Sequence, residues 1–263
     1  MSAEQQTAVA EGVDPAAPWE ARLERVSKVF AQRTTLPPVL EDVSLTVAPG
    51  EFVCLLGASG CGKSTLLNIL AGLDKPTTGT VEVKGRPGLM FQESALFPWL
   101  TAGRNVELAL QLRGVGRKER RDQAEELLAR VNLKGTFDKR PHELSGGMRQ
   151  RVALARALAQ DSNILLMDEP FAALDAITRD VLHQELRRVW RETGMAVVFV
   201  THNVREAVRL GERVLMMSSR PGRFVREWKV DVEAPRRIEA PDIAALSMEI
   251  TEDLRREIRR HAR

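Results

Sequence analysis

One segment constrains the fold of this chain more than any other: Gly57-Ala58-Ser59-Gly60-Cys61-Gly62-Lys63-Ser64-Thr65. It follows the apolar stretch 51–56, which predicts a buried strand, and it precedes a helical pattern that continues to Ala71. A strand, a glycine-rich loop and a helix, in that order, are the setting in which the pattern G-x-x-x-x-G-K-[ST] binds phosphate groups. The segment therefore predicts an α/β fold in which a sheet strand leads into a phosphate-binding loop.

The residue types in this loop suit a bound polyphosphate. Glycines such as Gly57, Gly60 and Gly62 let the backbone wrap phosphate oxygens, and successive amides form an anion-binding nest. Lys63 is placed to reach the β- and γ-phosphates of a nucleotide, and the Ser64 hydroxyl is a ligand for Mg²⁺. The remaining candidate nucleotide-binding positions in the loop are Ser59, Cys61 and Thr65.

The chain contains two cysteines, Cys54 and Cys61. Two cysteines give no disulfide framework, which agrees with a reducing compartment. Cys61 lies near a helix N-terminus and Lys63, and both features favour the thiolate. We therefore expect Cys61 to react with a maleimide faster than Cys54, which falls in the predicted buried strand.

A second pair of motifs lies between residues 144 and 175. The turn 145–147 precedes a helical pattern over 148–159, whose first amides and positive dipole end suit a phosphate. The apolar stretch 164–167 has the length of a buried parallel strand and ends in Asp168 and Glu169. Ligands bind at the carboxyl ends of strands in open α/β sheets. Asp168 is therefore placed to hold Mg²⁺, and Glu169 to polarise a water.

These motifs resemble those of ATP-binding cassette (ABC) ATPases. Residues 144–150 are similar to the signature motif of that family, and residues 164–169 to its Walker B strand with the catalytic glutamate. In that family the signature of one subunit caps the ATP that the other subunit binds. The resemblance implies a homodimer with ATP and Mg²⁺ as cofactors. The signature residues that it assigns to the nucleotide are Ser145, Gly146 and Gly147.

The resemblance covers about Leu23 to Arg223 and implies further site residues. Phe30 holds the aromatic position that stacks on adenine, although the pattern also allows a core role. Gln92 matches the Q-loop glutamine, a contact of the Mg²⁺ shell. Asp175 matches the D-loop at the dimer interface and is equally a candidate helix N-cap. His202, after the predicted strand 196–201, matches the histidine that contacts the γ-phosphate, and it joins Lys63 and Glu169 as the implied catalytic residues.

The resemblance and the hydrophobic patterns together imply the architecture. The implied fold is a P-loop NTPase (RecA-like) α/β core, with an antiparallel β subdomain and an inserted α-helical subdomain at about 96–159. Alternation over 22–30 and 39–47 predicts two half-buried strands with 34–38 as their turn. Residues 1–20 are expected to be a disordered leader and 21–223 the ABC ATPase domain.

Residues 224–263 are expected to form a C-terminal extension. Within it, apolar residues at helical spacing predict an amphipathic helix packed on the domain, with a membrane-surface role as the alternative. These residues are Ile243, Leu246, Ile250, Leu254 and Ile258.

Composition limits the possible partners. The net charge of +3 is spread along 263 residues, whereas nucleic-acid binding would call for a basic stripe. No apolar stretch approaches the ~20 residues that span a bilayer, and the N-terminus carries no secretory signal pattern. We therefore expect a cytoplasmic protein that does not bind nucleic acid.

Softer motifs narrow the resemblance within the family. Residues 97–99, residues 171–175 with Thr178-Arg179 after them, and residues 218–223 look like the ATPase subunits of nitrate, sulfonate and taurine importers. This implies ATP hydrolysis coupled to solute uptake through separate transmembrane permease subunits, served indirectly by a periplasmic solute-binding protein. The chain would then lie peripherally on the cytoplasmic face of the inner membrane. The apolar loop 97–99 is the expected docking point, or else a small satellite core.

The sequence departs from the family pattern at two positions. Met148 replaces the usual glutamine of the signature and Asn203 the usual aspartate after His202, which puts the coupling between subunits in doubt.

Three other classes of protein are alternatives to an importer subunit. A soluble ABC-type ATPase acting on nucleic acid or ribosomes usually carries two cassettes or coiled-coil insertions. A non-catalytic regulator would be expected to lack Lys63, Glu169 or His202. An exporter is disfavoured because no membrane domain is fused to the cassette in this sequence.

Overall fold

The computed structural model describes residues 18–30, 38–232, 236 and 240–261. Most of the predicted leader and residues 34–37 of the predicted turn lie outside the described residues. The chain forms two compact units: Met1–Gly85 together with Ala196–Arg263, and Arg86–Met195. We call them unit 1 and unit 2.

Both units combine β-strands with α-helices, numbered in chain order. The strands are β1 (Ala21–Lys28), β2 (Leu40–Val47), β3 (Phe52–Gly57), β4 (Thr78–Val83), β5 (Gly88–Met90), β6 (Ile164–Asp168), β7 (Ala196–Thr201), β8 (Arg213–Met217) and β9 (Phe224–Lys229). The helices are α1 (Lys63–Leu70), α2 (Ala102–Leu112), α3 (Arg117–Arg130), α4 (Gly146–Leu158), α5 (Ala176–Thr193), α6 (Val204–Leu210) and α7 (Pro241–His261).

Unit 1 contains a three-stranded antiparallel sheet in the order β2-β1-β4. Strands β1 and β2 alternate between buried apolar and more exposed polar residues, as in the burial of Leu23, Val43 and Leu45. Alternation of this kind places every second side chain on the core face of a sheet. The predicted hairpin of two half-buried strands is confirmed.

The second sheet portion of unit 1 has the order β7-β3-β8-β9. Strands β7, β3 and β8 are parallel, whereas β9 runs antiparallel to β8. Every residue of β3 and β7 is buried, and the rings of Phe52 and Phe199 lie 6.1 Å apart between them. Continuous apolar strands of this type are typical of parallel sheets covered on both faces.

Strand β9 was not predicted from the sequence, in which the preceding residues 218–223 stood out only as a subfamily motif. Its residues include Arg226 and Lys229, and five of the six are exposed or only partly buried. A strand at the end of a sheet needs no apolar pattern, because one of its edges and much of its surface face water. Within this strand, the buried side chain is that of Trp228.

Helix α7 confirms the predicted amphipathic helix and its packing on the domain. Ile243 and Ile250 are buried, and the helix contacts α6. Arg226 of β9 forms ion pairs with two acidic residues of α7, one of them Glu249 at 2.8 Å. The fifth predicted position, Ile258, remains 46% exposed. In the part of the chain that the structure describes, no helix is long and apolar enough to cross a membrane.

Unit 2 combines the parallel strand pair β5–β6 with helices α2 to α5. Helix α4 contacts α2, α3 and α5, so it lies at the centre of this helical group. Its buried residues include Val152 and Leu154, while α3 buries Ala124 and Leu128. Unit 2 therefore contains both the signature motif and the strand that ends in the two predicted catalytic-site carboxylates.

Candidate functional site

The phosphate-binding loop connects β3 to α1. Gly60 and Gly62 have φ values of +79° and +102°, a conformation that glycine adopts without steric cost. A Cβ at Gly62 would also lie 2.7 Å from Cδ2 of Leu40. Gly62 is the N-cap of α1 and provides no side-chain cap, so the amides at the start of this helix remain orphan donors. Orphan amides at a helix N-terminus form an anion site.

Lys63 is the first residue of α1, and its side chain is buried. Its Nζ donates to the carbonyl oxygens of Gly57 at 2.8 Å and Ala58 at 2.9 Å. These bonds hold the ammonium group against the inner side of the same loop. The loop thus brings one positive charge and a set of backbone donors together.

The buried environment of Cys61 contradicts the prediction that its side chain is a reactive thiolate. Its side chain is buried, and Sγ lies 2.7 Å from where a Cβ at Gly57 would stand. Burial raises the pKa of the Cys61 thiol, and the charge and hydrogen bonds of Lys63, with Nζ at 3.7 Å, offset this only in part. The sequence showed the neighbouring lysine, but it could not show that the thiol fills the space left by a glycine.

We expect Cys61 to react with a maleimide at least about tenfold more slowly in the native chain than in urea at the same pH. The raised pKa keeps the thiol protonated to higher pH, and only the thiolate attacks. Peptide mapping after timed labelling gives both rates, with buried Cys54 as an internal reference. Rapid native labelling of Cys61 at neutral pH would contradict this assignment.

His202 lies at the same sheet edge as the phosphate-binding loop. Leu56 pairs with Thr201 in the parallel register of β3 and β7, so Gly57 and His202 follow at adjacent strand ends. The buried Thr201 donates its hydroxyl to Oε2 of Glu206 at 2.5 Å and accepts from the amide of Asn203 at 3.0 Å. The exposed His202 thus stands on a turn that buried groups hold in place.

No sequence pattern indicated the supporting roles of Thr201 and Glu206, since neither belongs to a motif. Asn203 stood out only as a departure from the family pattern. In the structure Oδ1 of Asn203 accepts from the amide of Arg205 at 3.0 Å and caps α6. An amide oxygen caps a helix about as well as a carboxylate does, so the departure keeps this local role.

Gln92, Asp168 and Glu169 share one edge of the strand pair in unit 2. Met90 pairs with Met167, so Gln92 and Asp168 follow at the same ends of parallel strands. The Gln92 carbonyl accepts a hydrogen bond from Nε2 of the buried Gln150 at 2.9 Å. This bond links the signature helix α4 to the segment after β5, and no sequence pattern predicted it.

Glu169 has a φ of +43°, which places its backbone in the left-handed region. A non-glycine residue in this region carries a strain of order 1–3 kcal/mol, and such residues cluster at functional sites. The residue lies immediately before Pro170, which further restricts its backbone. Sequence reasoning singled out this carboxylate, but it did not foresee the conformation.

The signature residues form the N-terminus of α4. Ser145 is the N-cap and accepts from the amide of Met148 at 3.3 Å. Gly147 is buried, and a Cβ there would lie 2.5 Å from Cγ2 of Thr178 on α5. A Cβ at Gly146 would lie 3.5 Å from Leu174. The glycines therefore let the start of α4 pack closely against the start of α5.

Asp175 caps the adjacent helix α5, which confirms one of its two predicted roles. Its carboxylate accepts from the amide of Thr178 at 2.9 Å, and this bond lowers the pKa of Asp175. The guanidinium of Arg179 donates to the carbonyl oxygens of Phe171 at 3.3 Å and Leu174 at 2.7 Å. Arg179 thus holds the loop that Asp175 ends, a role that the sequence did not reveal.

Phe30 lies two residues beyond the end of β1. Its ring is 52% exposed, and Nζ of Lys28 lies 5.0 Å from the ring centroid. The alternative that Phe30 is a core residue is therefore wrong. An exposed ring beside a lysine is available for stacking.

The loop 97–99 is exposed as well, which excludes the satellite-core alternative. Trp99 is 67% exposed and Phe97 is 36% exposed, and their ring centroids lie 5.3 Å apart. The fully buried Asn105 fixes this loop, accepting from the Phe97 amide at 2.8 Å and donating to the Thr101 carbonyl at 2.9 Å. Arg156 of α4 donates to the carbonyls of residues 94 and 95.

The phosphate-binding loop offers an oxygen ligand of the kind that Mg²⁺ uses. Among the described residues, no group of three or more His, Cys, Asp or Glu side chains is arranged to hold a metal ion. Mg²⁺ is commonly held by one or two protein oxygens together with substrate phosphates and waters. The hydroxyl of the exposed Ser64, next to the orphan amides of α1, is such an oxygen.

A glycine-rich loop between a parallel strand and a helix, with a buried lysine at the helix start, defines a nucleotide-binding protein of the P-loop class. The family model described as "ABC transporter" matches residues 40–172. This chain belongs to the ABC transporter family as an ATP-binding subunit, and it is an ATPase. The predicted fold class is confirmed with it.

Relatives and solved structures support the same assignment. "Taurine import ATP-binding protein TauB" of Burkholderia thailandensis is 46% identical over an alignment of 249 residues, and the match covers 89% of this chain and 96% of that protein. "Aliphatic sulfonates import ATP-binding protein SsuB" of Bacillus subtilis (strain 168) is 43% identical over 241 residues, or 86% and 93% of the two chains. "Nitrate import ATP-binding protein NrtD" of Synechocystis sp. is 44% identical over 215 residues, or 79% and 81%.

Among solved structures, the dimeric post-hydrolysis state of the ATP-binding cassette MJ0796, bound to ADP and Pi, has a TM-score of 0.72. It is 37% identical in sequence, and the match covers 81% of this chain and all of that one. The predicted resemblance to nitrate, sulfonate and taurine import ATPases is thus confirmed at the level of sequence similarity.

Proposed function

We propose that this protein is the ATP-hydrolysing subunit of an importer for small anions of the nitrate, sulfonate or taurine type. Relatives at 43–50% identity carry those import names. The structural observation that supports ATP hydrolysis is the loop 57–65, which combines the orphan amides at the start of α1 with the buried ammonium group of Lys63. A compact array of donors and positive charge of this kind suits the phosphates of ATP.

The roles that we propose for the site residues follow the phosphoryl-transfer chemistry. The loop amides and Lys63 bind the β- and γ-phosphates, and Phe30 stacks on the adenine. Glu169 accepts a proton from the attacking water, and His202 contacts the γ-phosphate. Most of the acceleration comes from positioning and from neutralising the charge on the transferred group. The proposed Mg²⁺ ligands are Ser64, Gln92 and Asp168.

The working form that we propose is a homodimer in which the signature of one copy caps the ATP of the other. Ser145 and the amides of Gly146 and Gly147 begin α4, and an N-terminal helix end favours a γ-phosphate. Asp175 lies at the start of the neighbouring helix α5. The solved structure of the similar cassette MJ0796 is dimeric.

Closure of this dimer would drive separate permease subunits, with a periplasmic binding protein upstream of them. The docking point that we propose is the exposed pair Phe97 and Trp99. The protein would then work in the cytoplasm, on the inner face of the membrane. Within the chain we propose an ATPase domain at 21–223, with its helical subdomain at about 96–159, and an extension at 224–263.

Two measurements test the proposed function. Phosphate release by the purified chain, compared with a Lys63→Ala variant, tests the ATPase site, and the variant should lose ATP binding. Deletion of the coding region should then impair growth on nitrate as sole nitrogen source, or on taurine or an alkanesulfonate as sole sulfur source. If the deletion leaves growth on nitrate, taurine and alkanesulfonates unaffected, and the protein does not co-purify with a permease, the results would favour an ABC-type ATPase that is not part of a transporter.

The double variant Phe97→Ala with Trp99→Ala should weaken assembly with the permease by at least about tenfold. Exposed aromatic side chains carry much of the energy of such interfaces, often 2 kcal/mol or more each. Co-purification from detergent at several protein concentrations measures the loss. Leu112→Ala is the matched control, because Leu112 is also a large exposed apolar residue of unit 2. Normal assembly by the double variant would remove this loop from the docking surface.

A further inference from the structure

The loop between β8 and β9, residues 218–223, packs against the phosphate-binding loop within unit 1. Gly222 is buried, and a Cβ at this position would lie 2.2 Å from the carbonyl oxygen of Cys61. It would also lie 2.9 Å from the carbonyl oxygen of Val39. Both neighbours are backbone atoms, which cannot turn aside as the end of a flexible side chain does. Only a residue without a side chain allows this approach.

Gly222 is also bonded to the start of β2. Its amide donates to the carbonyl of Val39 at 2.9 Å, and its carbonyl accepts from the amide of Glu41 at 3.1 Å. Next to it, the guanidinium of Arg223 pairs with the carboxylate of Glu41, with Nε 3.1 Å from Oε2. These bonds fix the loop 218–223 to the antiparallel sheet.

The start of β2 touches the phosphate-binding loop from a second side. A Cβ at Gly62 would lie 2.7 Å from Cδ2 of Leu40 and 3.2 Å from the carbonyl of Val39. Leu40 pairs with Lys28 across β2 and β1, and Phe30 follows two residues later. One junction thus ties the phosphate-binding loop to strand β1, which leads to the exposed ring of Phe30.

Ser218 shapes the loop from within. Its hydroxyl donates to the carbonyl of Pro221 at 2.8 Å and accepts from the amide of Arg223 at 3.1 Å, and the residue is buried. The loop is therefore held to one conformation by its own hydrogen bonds before it reaches Cys61. A fixed loop can act as a rigid support for the backbone that it contacts.

We propose that Gly222 is a positioning residue for ATP binding. It sets the place of the Cys61–Gly62 backbone, and with it the first amides of α1, relative to the sheet that carries Phe30. This inference rests on the proposed role of residues 57–65 in ATP binding. No motif for phosphate contact includes the loop 218–223, which the sequence showed only as a turn and as a mark of the subfamily.

Gly222→Ala should raise the dissociation constant for ATP by about tenfold or more. To restore an ordinary contact with the Cys61 carbonyl, the backbone must shift by about 1 Å, and hydrogen bonds from the loop amides to a charged phosphate weaken steeply with misalignment of that size. Because no group that takes part in the reaction changes, kcat at saturating ATP should stay within about twofold. Titration calorimetry with ATP and Mg²⁺, together with steady-state phosphate release on the full chain, gives both values.

The matched control is Gly116→Ala. Gly116 has a φ of −63°, and a Cβ there would have no neighbour within 4 Å, so this variant tests the loss of a glycine without a clash. It should bind ATP as the wild type does. A merely structural effect of Gly222→Ala would lower the thermal midpoint and the active fraction while leaving the KM for ATP unchanged, and that result would overturn the proposal.

Two further variants keep the test decisive. If Gly222→Ala does not fold, Ser218→Ala removes the hydrogen bonds of the Ser218 hydroxyl within the loop without adding an atom, and it should raise the dissociation constant for ATP by about threefold. Unchanged ATP affinity in Ser218→Ala would then reject the positioning role. Lys63→Ala is measured in parallel. If Lys63→Ala keeps full ATP affinity, the proposed phosphate site is wrong. If Lys63→Ala loses ATP affinity while Gly222→Ala binds ATP normally, only the proposed role of Gly222 is rejected.

Discussion

The variant Glu169→Gln should bind ATP with wild-type affinity and hydrolyse it roughly 10²–10⁴-fold more slowly. The amide has the same shape as the carboxylate but cannot accept a proton from the attacking water, and a general base contributes about that factor. The strained backbone at φ +43° should be retained, since glutamine and glutamate differ little in backbone preference. Phosphate release and titration calorimetry measure the two quantities.

If the proposed dimer is right, the same variant should accumulate as an ATP-bound dimer, because ATP would still close the dimer while the hydrolysis that would reopen it is blocked. Size-exclusion chromatography with and without ATP detects that species. Glu107→Gln on α2 is the matched control for the loss of one carboxylate outside the phosphate motifs. Wild-type hydrolysis by Glu169→Gln would remove this residue from the role of base.

The sequence predicted the central strands well because they carry the strongest pattern. The bounds of β7 coincide with the predicted strand 196–201. Buried parallel strands are continuous apolar stretches, so their residues alone show where they begin and end. Strand β9 was missed because an edge strand with Arg226 and Lys229 lacks that pattern.

The site motifs were likewise visible as patterns, whereas the groups that hold them in place were not. Asn105 and Arg156 fix the loop 94–101 through bonds to backbone carbonyls, and such bonds leave no paired residue type in the sequence. Gln150 and Arg179 act in the same way. These contacts depend on which backbone atoms a fold brings near, and only the tertiary structure supplies that information.

Cys61 and Gly222 show the same limit within the phosphate-binding loop. Proximity in sequence to Lys63 suggested a thiolate, but burial beside Gly57 dominates the pKa of the thiol. Gly222 belongs to a segment whose composition indicates a turn. Its close approach to the Cys61 carbonyl joins two segments that lie far apart in the sequence. Local pattern rules describe neither effect.

The largest loss and recovery of activity is expected from a mixing experiment on two inactive variants. Lys63→Ala removes the charge that we propose binds the β- and γ-phosphates, and Ser145→Arg places a long cation where the signature is proposed to cap ATP. Each variant alone should retain only a few per cent of wild-type hydrolysis, since the loss of such groups costs about 10²-fold or more. In a heterodimer, one site combines the altered phosphate-binding loop of the first variant with the altered signature of the second. The other site combines the intact loop of the second variant with the intact signature of the first.

Equal mixing of the two variants should therefore restore about a quarter of wild-type activity. Half of the dimers formed at random are heterodimers, and each contains one intact site out of two in a two-fold arrangement. Thr101→Arg is the matched control for the lost helix cap, because Thr101 caps α2 with the same 3.3 Å bond that Ser145 makes on α4. It should keep full activity on its own. If the mixture shows only the mean of the two variants, or if Ser145→Arg alone is fully active at every protein concentration, the shared site between two copies is wrong and each chain must complete its own.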